Sequence, residues 1–197
     1  MNNFEIELRG DLPLDLTKEQ ILNLISQGLG EYEFTKELVL FFRYEFDFRF
    51  KFIHEKGEFV LKKKLENQAN QVEWVTKIEK EDIRNFLIQL HHLGYTEGLL
   101  STGERYVFKK DNLELCLKYN TPIGNFFEAE QIITSQNEVE IAEQNLTEII
   151  QKFGFRAWND DEYNQVKKKS LESLKKVSLL NDTDGTINED IDNFIYN

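Results

Sequence analysis

The chain has little cysteine, no long apolar run and no excess of positive charge, and each shortage excludes a class of protein. Its one cysteine, Cys116, allows neither an intramolecular disulfide nor a thiolate cluster for a metal, which suits a reducing compartment. No stretch reaches the length of a membrane span, and no basic segment followed by an apolar run opens the chain. We therefore expect a soluble cytoplasmic protein without a membrane partner.

Acidic residues outnumber basic ones. The sequence has 36 Asp and Glu against 24 Lys and Arg, which gives a formal net charge of −12. This excess argues against a general nucleic-acid-binding protein and against attraction to anionic lipid. Any site that binds an anion must therefore be built locally from a few basic side chains.

Internal repeats and low-complexity linkers are also missing. A length of 197 residues suits one domain with a full core, or one domain and a short appendage. The polar and acidic composition beyond about residue 181 favours a mobile segment. We predict one folded domain over residues 1–177 and a flexible acidic tail over residues 178–197.

The main positive feature of the sequence is alternation with a period of two residues. Residues 4–9 read Phe-Glu-Ile-Glu-Leu-Arg, so a strand there would carry two acids and a base on one face. The same alternation recurs in residues 43–52, 59–64, 105–118 and 127–130. This recurrence predicts an antiparallel sheet with one face rich in Phe and Leu and one face rich in Arg, Lys and Glu.

Helical patterns lie between the strands. Thr17 and Gln20 have the spacing of a capping box at the start of a helix that Gly28 ends. Further helical patterns begin near Lys80 and Glu138, and a weaker one covers residues 160–177. If helices cover the apolar face, a sheet closed on itself turns its charged faces inward. The alternative is an open sheet whose charged face is solvated and internally paired.

An inward charged face would form a binding site for an anion and a metal. Guanidinium groups bind phosphate bidentately, and carboxylates are the hard oxygen ligands that Mg²⁺ and Mn²⁺ prefer. The candidate substrate-binding residues are Arg9, Arg49, Lys51, Lys62, Lys64, Arg105, Lys109 and Lys118. The candidate metal ligands are Glu5, Glu7, Glu128 and Glu130, of which Glu5, Glu7 and Glu130 are also the candidate catalytic residues.

The N-terminal half of this pattern resembles the CYTH family, the triphosphate tunnel metalloenzymes, and within it the class IV adenylyl cyclases. Residues 5–9 resemble the family's ExExK signature, with Arg9 in place of its lysine. Residues 48–51 resemble the LRxR strand, and residues 59–64 resemble the lysine-bearing strand that follows it.

The C-terminal half continues the resemblance in the same order. Residues 93–95 resemble the LGY motif, residues 104–105 the KxR motif and residues 122–130 the GLGDFxExE motif. Residues 162–166 are similar to the terminal SYxxLL motif. The resemblance covers about residues 4–170, and the order of the motifs is more specific than any single one.

The resemblance implies an α+β fold with an eight-stranded antiparallel β-barrel or tunnel flanked by helices. Such a tunnel binds a nucleoside or inorganic triphosphate, with ATP the foremost candidate, together with Mg²⁺ or Mn²⁺. Family members either cyclise ATP to cyclic AMP and pyrophosphate or hydrolyse a triphosphate such as thiamine triphosphate. The oligomeric state is left open, a homodimer being one alternative.

Three positions depart from the family pattern. Arg9 keeps the charge of the usual lysine but not its compact ammonium group. Gly103 stands where the lysine of KxR is expected, although Lys109 can compensate, and Lys118 stands where cyclases carry an acid. These departures motivate a second hypothesis, in which a catalytically weakened tunnel binds a nucleotide or polyphosphate and regulates a partner.

Overall fold

A computed structural model describes residues 4–43, 48–53, 55–64, 71–181 and 185–197. These residues form an α+β fold with ten strands and five α-helices. None of the helices in these ranges has the length and apolar character needed to cross a membrane.

The element bounds follow the alternation and the helical patterns of the sequence. The strands are β1 (Phe4–Asp11), β2 (Tyr32–Arg43), β3 (Phe48–Ile53), β4 (Lys56–Lys64), β5 (Gln71–Glu79), β6 (Glu97–Lys110), β7 (Leu113–Thr121), β8 (Gly124–Ile133), β9 (Arg156–Ala157) and β10 (Lys175–Ser178). The helices are α1 (Lys18–Leu29), α2 (Ile83–His92), α3 (Val139–Lys152), α4 (Asp160–Ser173) and α5 (Glu189–Tyr196).

The strands belong to one antiparallel sheet. Its order is β5-β4-β3-β2-β6-β7-β8-β1-β9, and β10 pairs with β6. A barrel closes only when the strands at the two ends of this order pair with each other. Over the described residues β5 pairs with β4 and the two-residue β9 pairs with β1, so the sheet stays open. The predicted eight-stranded barrel is thereby corrected to an open ten-stranded sheet.

The chain divides into two compact units. The first unit comprises Met1–Thr35 and Gly103–Ser170, and the second unit comprises Lys36–Thr102 and Leu171–Asn197. The single domain over residues 1–177 stays a prediction.

In the first unit the apolar face of the sheet packs against α1 and α3. The helix α1 begins after Thr17, which forms the predicted capping box with Gln20. The core is formed by every second residue of the strands and by helix residues spaced three or four apart. Those spacings place the side chains on one face of each element. The largest fully buried side chains of this core are Phe108, Leu115, Leu117, Phe127, Ile21, Ile25 and Leu146.

In the second unit the core includes residues that the sequence predicted to be a flexible tail. Ile187, Ile191 and Ile195 are spaced by four residues and are all buried. Asn188 caps α5 by accepting a hydrogen bond from the Asp190 amide. The described part of the predicted tail is therefore folded, because an apolar stripe at helical spacing outweighs the acidic composition around it.

Candidate functional site

The strands β1, β8, β7 and β6 present one charged surface of the first unit. Glu7 pairs with Glu130 and Arg9 pairs with Glu128 across β1 and β8. Directly paired residues of an antiparallel sheet project on the same side, so the registers of β7 and β6 extend this surface. The charged face, as it is called below, comprises Glu5, Glu7, Arg9, Arg105, Lys109, Glu114, Lys118, Glu128 and Glu130.

Three carboxylates of the charged face form a cluster. Glu5, Glu7 and Glu130 each offer an oxygen, and these oxygens lie within 4.8 Å of one another. Burial, together with the negative charges of Glu5 and Glu7, raises the pKa of Glu130 to about 8. The carboxylate cluster, as defined by these three residues, is therefore a place where an added cation relieves repulsion.

The donor chemistry of the carboxylate cluster fits a hard divalent cation. Mg²⁺ and Mn²⁺ are bound by carboxylate oxygens and commonly keep water or phosphate oxygens as further ligands. Glu128, the fourth predicted ligand, lies on the same face but makes ion pairs with Arg9 and Lys118, at 3.1 Å in both cases. The geometry thus groups three of the predicted ligands and directs the fourth toward basic side chains.

Arg9 lies beside the carboxylate cluster. Its Nε is 2.5 Å from Glu7 Oε1 and 3.1 Å from Glu128 Oε1, and its Nη1 donates a 2.6 Å hydrogen bond to Tyr163 Oη. Burial alone would lower the pKa of Arg9, but Glu128 and Glu7 raise it above its ordinary value. The guanidinium is therefore a permanent positive charge held by two carboxylates and one hydroxyl.

The other cations of the charged face are also paired. Lys109 Nζ is 3.0 Å from Glu114 Oε2, and Arg105 Nη2 is 3.7 Å from Glu114 Oε1. Lys118 pairs with Glu128 as described above. Glu114 was not among the predicted site residues, although the alternation of β7 places it on the same face as Lys118. Each cation of the face therefore has a carboxylate that an incoming anion would replace.

Strand β9 and helix α4 are fixed against β1 next to Arg9. The Trp158 amide donates a 2.7 Å hydrogen bond to the Arg9 carbonyl oxygen. Arg156 pairs with Asp11 at 3.2 Å and with Glu162 at 2.8 Å. These contacts position Tyr163, whose ring centroid lies 5.3 Å from Arg9 Cζ.

The remaining candidate basic residues lie in the second unit. Arg49 and Lys51 alternate along β3 with the buried Phe50 and Phe52. Lys62 and Lys64 are on β4, where their backbone partners on β5 are Glu73 and Gln71. The structure therefore places four of the eight predicted basic residues on the charged face of the first unit and four on strands of the second unit.

Two small residues of the first unit, at positions 103 and 116, are buried. Cys116 is buried on the charged face, and this burial raises the pKa of its thiol to about 12, which disfavours the nucleophilic thiolate form. Gly103 is also buried, and a Cβ there would lie 3.0 Å from Thr121 Cγ2.

The fold is shared with solved structures. No family model and no curated protein matches the chain. A candidate adenylate cyclase from Vibrio parahaemolyticus matches with a TM-score of 0.64 at 16% identity, over 84% of this chain and 98% of that one.

Two further matches have similar coverage. The PH1012 protein of Pyrococcus horikoshii gives a TM-score of 0.61 at 17% identity, over 80% and 93% of the two chains. A candidate adenylate cyclase from Bacillus halodurans gives 0.51 at 19%, over 84% and 98%. Identities this low establish the common fold and nothing about activity.

Proposed function

We propose that the chain is a divalent-metal-dependent enzyme of the CYTH type that acts on a triphosphate. In the cyclase form, the 3′-hydroxyl of ATP attacks the α-phosphorus and pyrophosphate leaves, giving cyclic AMP. In the triphosphatase form, water attacks the terminal phosphorus, the bond to the bridging oxygen breaks, and the diphosphate leaves while the attacked phosphorus is released as orthophosphate. Structures that share the fold and are described as candidate adenylate cyclases support the proposal.

One observation carries this proposal. A carboxylate cluster suited to a divalent cation and an arginine suited to phosphate lie on adjacent positions of one sheet face, with Glu7 common to both. A triphosphate complexed with Mg²⁺ presents the matching pair of charges, a divalent cation bound to phosphate oxygens. A face built only for stability would not need three carboxylates with oxygens within 4.8 Å of one another, because their repulsion costs free energy.

The residues of the charged face take distinct roles in this function. Glu5, Glu7 and Glu130 would hold Mg²⁺ or Mn²⁺, which when bound neutralises charge on the phosphate oxygens. Arg9 would bind phosphate bidentately, and Lys118 would add a second positive charge. Arg105 and Lys109 on β6 would add further positive charge by binding phosphate in place of Glu114. Arg49, Lys51, Lys62 and Lys64 stay sequence-based predictions.

A second candidate function is a regulatory module that binds a triphosphate without turning it over. The pairing of Lys118 with Glu128 favours it, because a cation occupies the position where the resembled cyclases carry an acid. The glycine at position 103, in place of a lysine, would further weaken the hold on phosphate.

Product analysis separates these functions. Purified protein is incubated with Mg²⁺ or Mn²⁺ and with ATP, thiamine triphosphate or inorganic tripolyphosphate, and cyclic AMP, pyrophosphate and orthophosphate are followed together. Cyclic AMP with equal pyrophosphate identifies the cyclase, and orthophosphate without cyclic AMP identifies the triphosphatase, accompanied by equal pyrophosphate when tripolyphosphate is the substrate. A rise in melting temperature without product identifies the regulatory module. If no product forms and no substrate raises the melting temperature, both functions are refuted.

A charge-neutral substitution in the carboxylate cluster tests the role of the metal ligands. We expect Glu5→Gln to lower turnover at least about 100-fold, because loss of a ligand removes several kcal/mol of charge stabilisation in the transition state. Glu143→Gln, an exposed position on α3, is the matched control and should turn over at the wild-type rate. Equal rates for the two variants would show that the cluster is not the catalytic metal site.

A further inference from the structure

One carboxylate of the charged face belongs to two groups at once. Glu7 is a member of the carboxylate cluster, and its Oε1 also lies 2.5 Å from Arg9 Nε. Both of these atoms are buried, so solvent screens their attraction only weakly. Glu7 therefore connects the group suited to a cation with the group suited to an anion.

The charges around Glu7 are unevenly distributed. The charged face has five carboxylates and four cations, and three of the carboxylates are gathered in the cluster. Arg9 is the cation whose ion pair reaches into the cluster, whereas Lys118 pairs with Glu128 and Lys109 pairs with Glu114. Arg9 therefore brings positive charge to the cluster, as a bound divalent cation would.

The other contacts of Arg9 do not depend on Glu7. Tyr163 Oη accepts a hydrogen bond from Arg9 Nη1, and Glu128 Oε1 lies 3.1 Å from Arg9 Nε. The Arg9 backbone is further tied to Trp158. If Glu7 turns to a cation, these contacts keep the guanidinium in place while its charge becomes available to an anion.

We propose that Glu7 is a positioning residue that couples the two halves of the site, releasing Arg9 for a polyanion when a divalent cation occupies the carboxylate cluster. The inference rests on the proposed function and concerns the order of binding at that same site. Because coupling between two ligands is reciprocal, a polyanion on Arg9 must strengthen the binding of the cation by the same factor.

A comparison of two isosteric variants tests this coupling without any metal. Binding of tripolyphosphate is measured by calorimetry in EDTA for wild-type protein, Glu7→Gln and Glu5→Gln. Each variant removes one negative charge from the same cluster, and within the described ranges Glu7 is the cluster member that forms an ion pair with Arg9. We expect Glu7→Gln to bind at least about fivefold more tightly than Glu5→Gln, a ratio at the lower end of typical coupling factors.

The double variant Glu7→Gln with Arg9→Gln identifies the route of the effect. It should lose the advantage over Glu5→Gln, because the released arginine is then absent. Equal affinities of the two single variants would overturn the inference while leaving the proposed function intact. If wild-type protein binds no tripolyphosphate in EDTA or with Mg²⁺, the proposed function falls and the inference falls with it.

Binding of the cation alone gives a second, independent measurement. Mn²⁺ affinity is followed by electron paramagnetic resonance for wild-type protein, Arg9→Gln and Lys118→Gln, with no phosphate present. Both variants remove one positive charge from the face, but Arg9 forms an ion pair with Glu7, whereas Lys118 forms one with Glu128. Arg9→Gln should bind Mn²⁺ severalfold more tightly than Lys118→Gln, and the reverse order would contradict the coupling.

Discussion

At the scale of single residues, the protonation of Glu130 makes the stability of the metal-free protein depend on pH. Its pKa is about 8 in the folded state against an ordinary value of 4.5, owing to burial and to the charges of Glu5, Glu7, Glu128 and Glu114. Between these two pH values the folded state binds more protons than the unfolded state, so the free energy of unfolding falls as pH rises.

Glu130→Gln should remove this dependence. In EDTA, wild-type protein should lose stability relative to the variant by up to about 1.4 kcal/mol per pH unit between about pH 5 and pH 8, and the difference should level off above pH 8. Urea unfolding at four pH values in this range measures it. Parallel stability curves for the two proteins would mean that Glu130 ionises normally in the folded state.

The Glu7–Arg9 contact shows what sequence reasoning misses at this scale. Alternation along β1 places both residues on one face, and that much was predicted. Which carboxylate pairs with Arg9 depends on side-chain geometry. By position in the sheet, Glu128 on the neighbouring strand is within reach of Arg9, as Glu7 is. The pattern therefore places both residues on one face but does not give their pairing.

At the scale of elements, the close approach of β9 to β1 depends on Gly10. A Cβ at this position would lie 1.9 Å from the Arg156 carbonyl oxygen and 2.7 Å from Phe127 Cε1. A backbone atom cannot yield as a flexible side chain can, so β9 would have to move away from β1. This movement would also displace α4 and the Tyr163 hydroxyl from Arg9.

We therefore expect Gly10→Ala to lower the free energy of unfolding by at least about 2 kcal/mol. The matched control is Gly28→Ala within α1, where the nearest atom to a Cβ is Phe153 Cζ at 3.0 Å. There the helix preference for alanine offsets a small ring movement, so stability should stay within about 1 kcal/mol of wild type. Chemical denaturation measures the free energy of unfolding of both variants. Equal losses of stability would contradict the tight contact with β9.

The elements themselves were predicted to different degrees. Long alternating strands and the three amphipathic helices α1, α2 and α3 follow from periodicity and capping residues. Strands β9 and β10 have two and four residues, too few for a period to be recognised, and they exist through pairing with β1 and β6. Short strands of this kind depend on distant partners that a local pattern does not contain.

At the scale of the whole molecule, sheet closure could not be inferred from the sequence. Alternation gives each strand two faces, but it does not say whether the strands at the two ends of the order pair. The division into two units has the same origin, because each unit joins an N-terminal segment with a segment more than 60 residues further along the chain. Contacts of such separation leave no trace in local composition.

The acidic composition of the C-terminal segment predicted a flexible tail, whereas the structure packs α5 into the core of the second unit. A point substitution tests the role of this helix. Ile191 is fully buried in the core of the second unit, and α5 is also fastened by a bidentate pair of Arg84 with Asp192, at 2.8 and 2.9 Å. Ile191→Ala should cost about 2–5 kcal/mol of stability, as deletions of buried isoleucine side chains do. Chemical denaturation measures both costs. Ile141→Ala should cost under about 0.5 kcal/mol of stability, because Ile141 is 62% exposed on α3. If the C-terminal segment were flexible, Ile191→Ala would cost as little as Ile141→Ala. The ratio of the two costs therefore shows whether α5 is part of the fold.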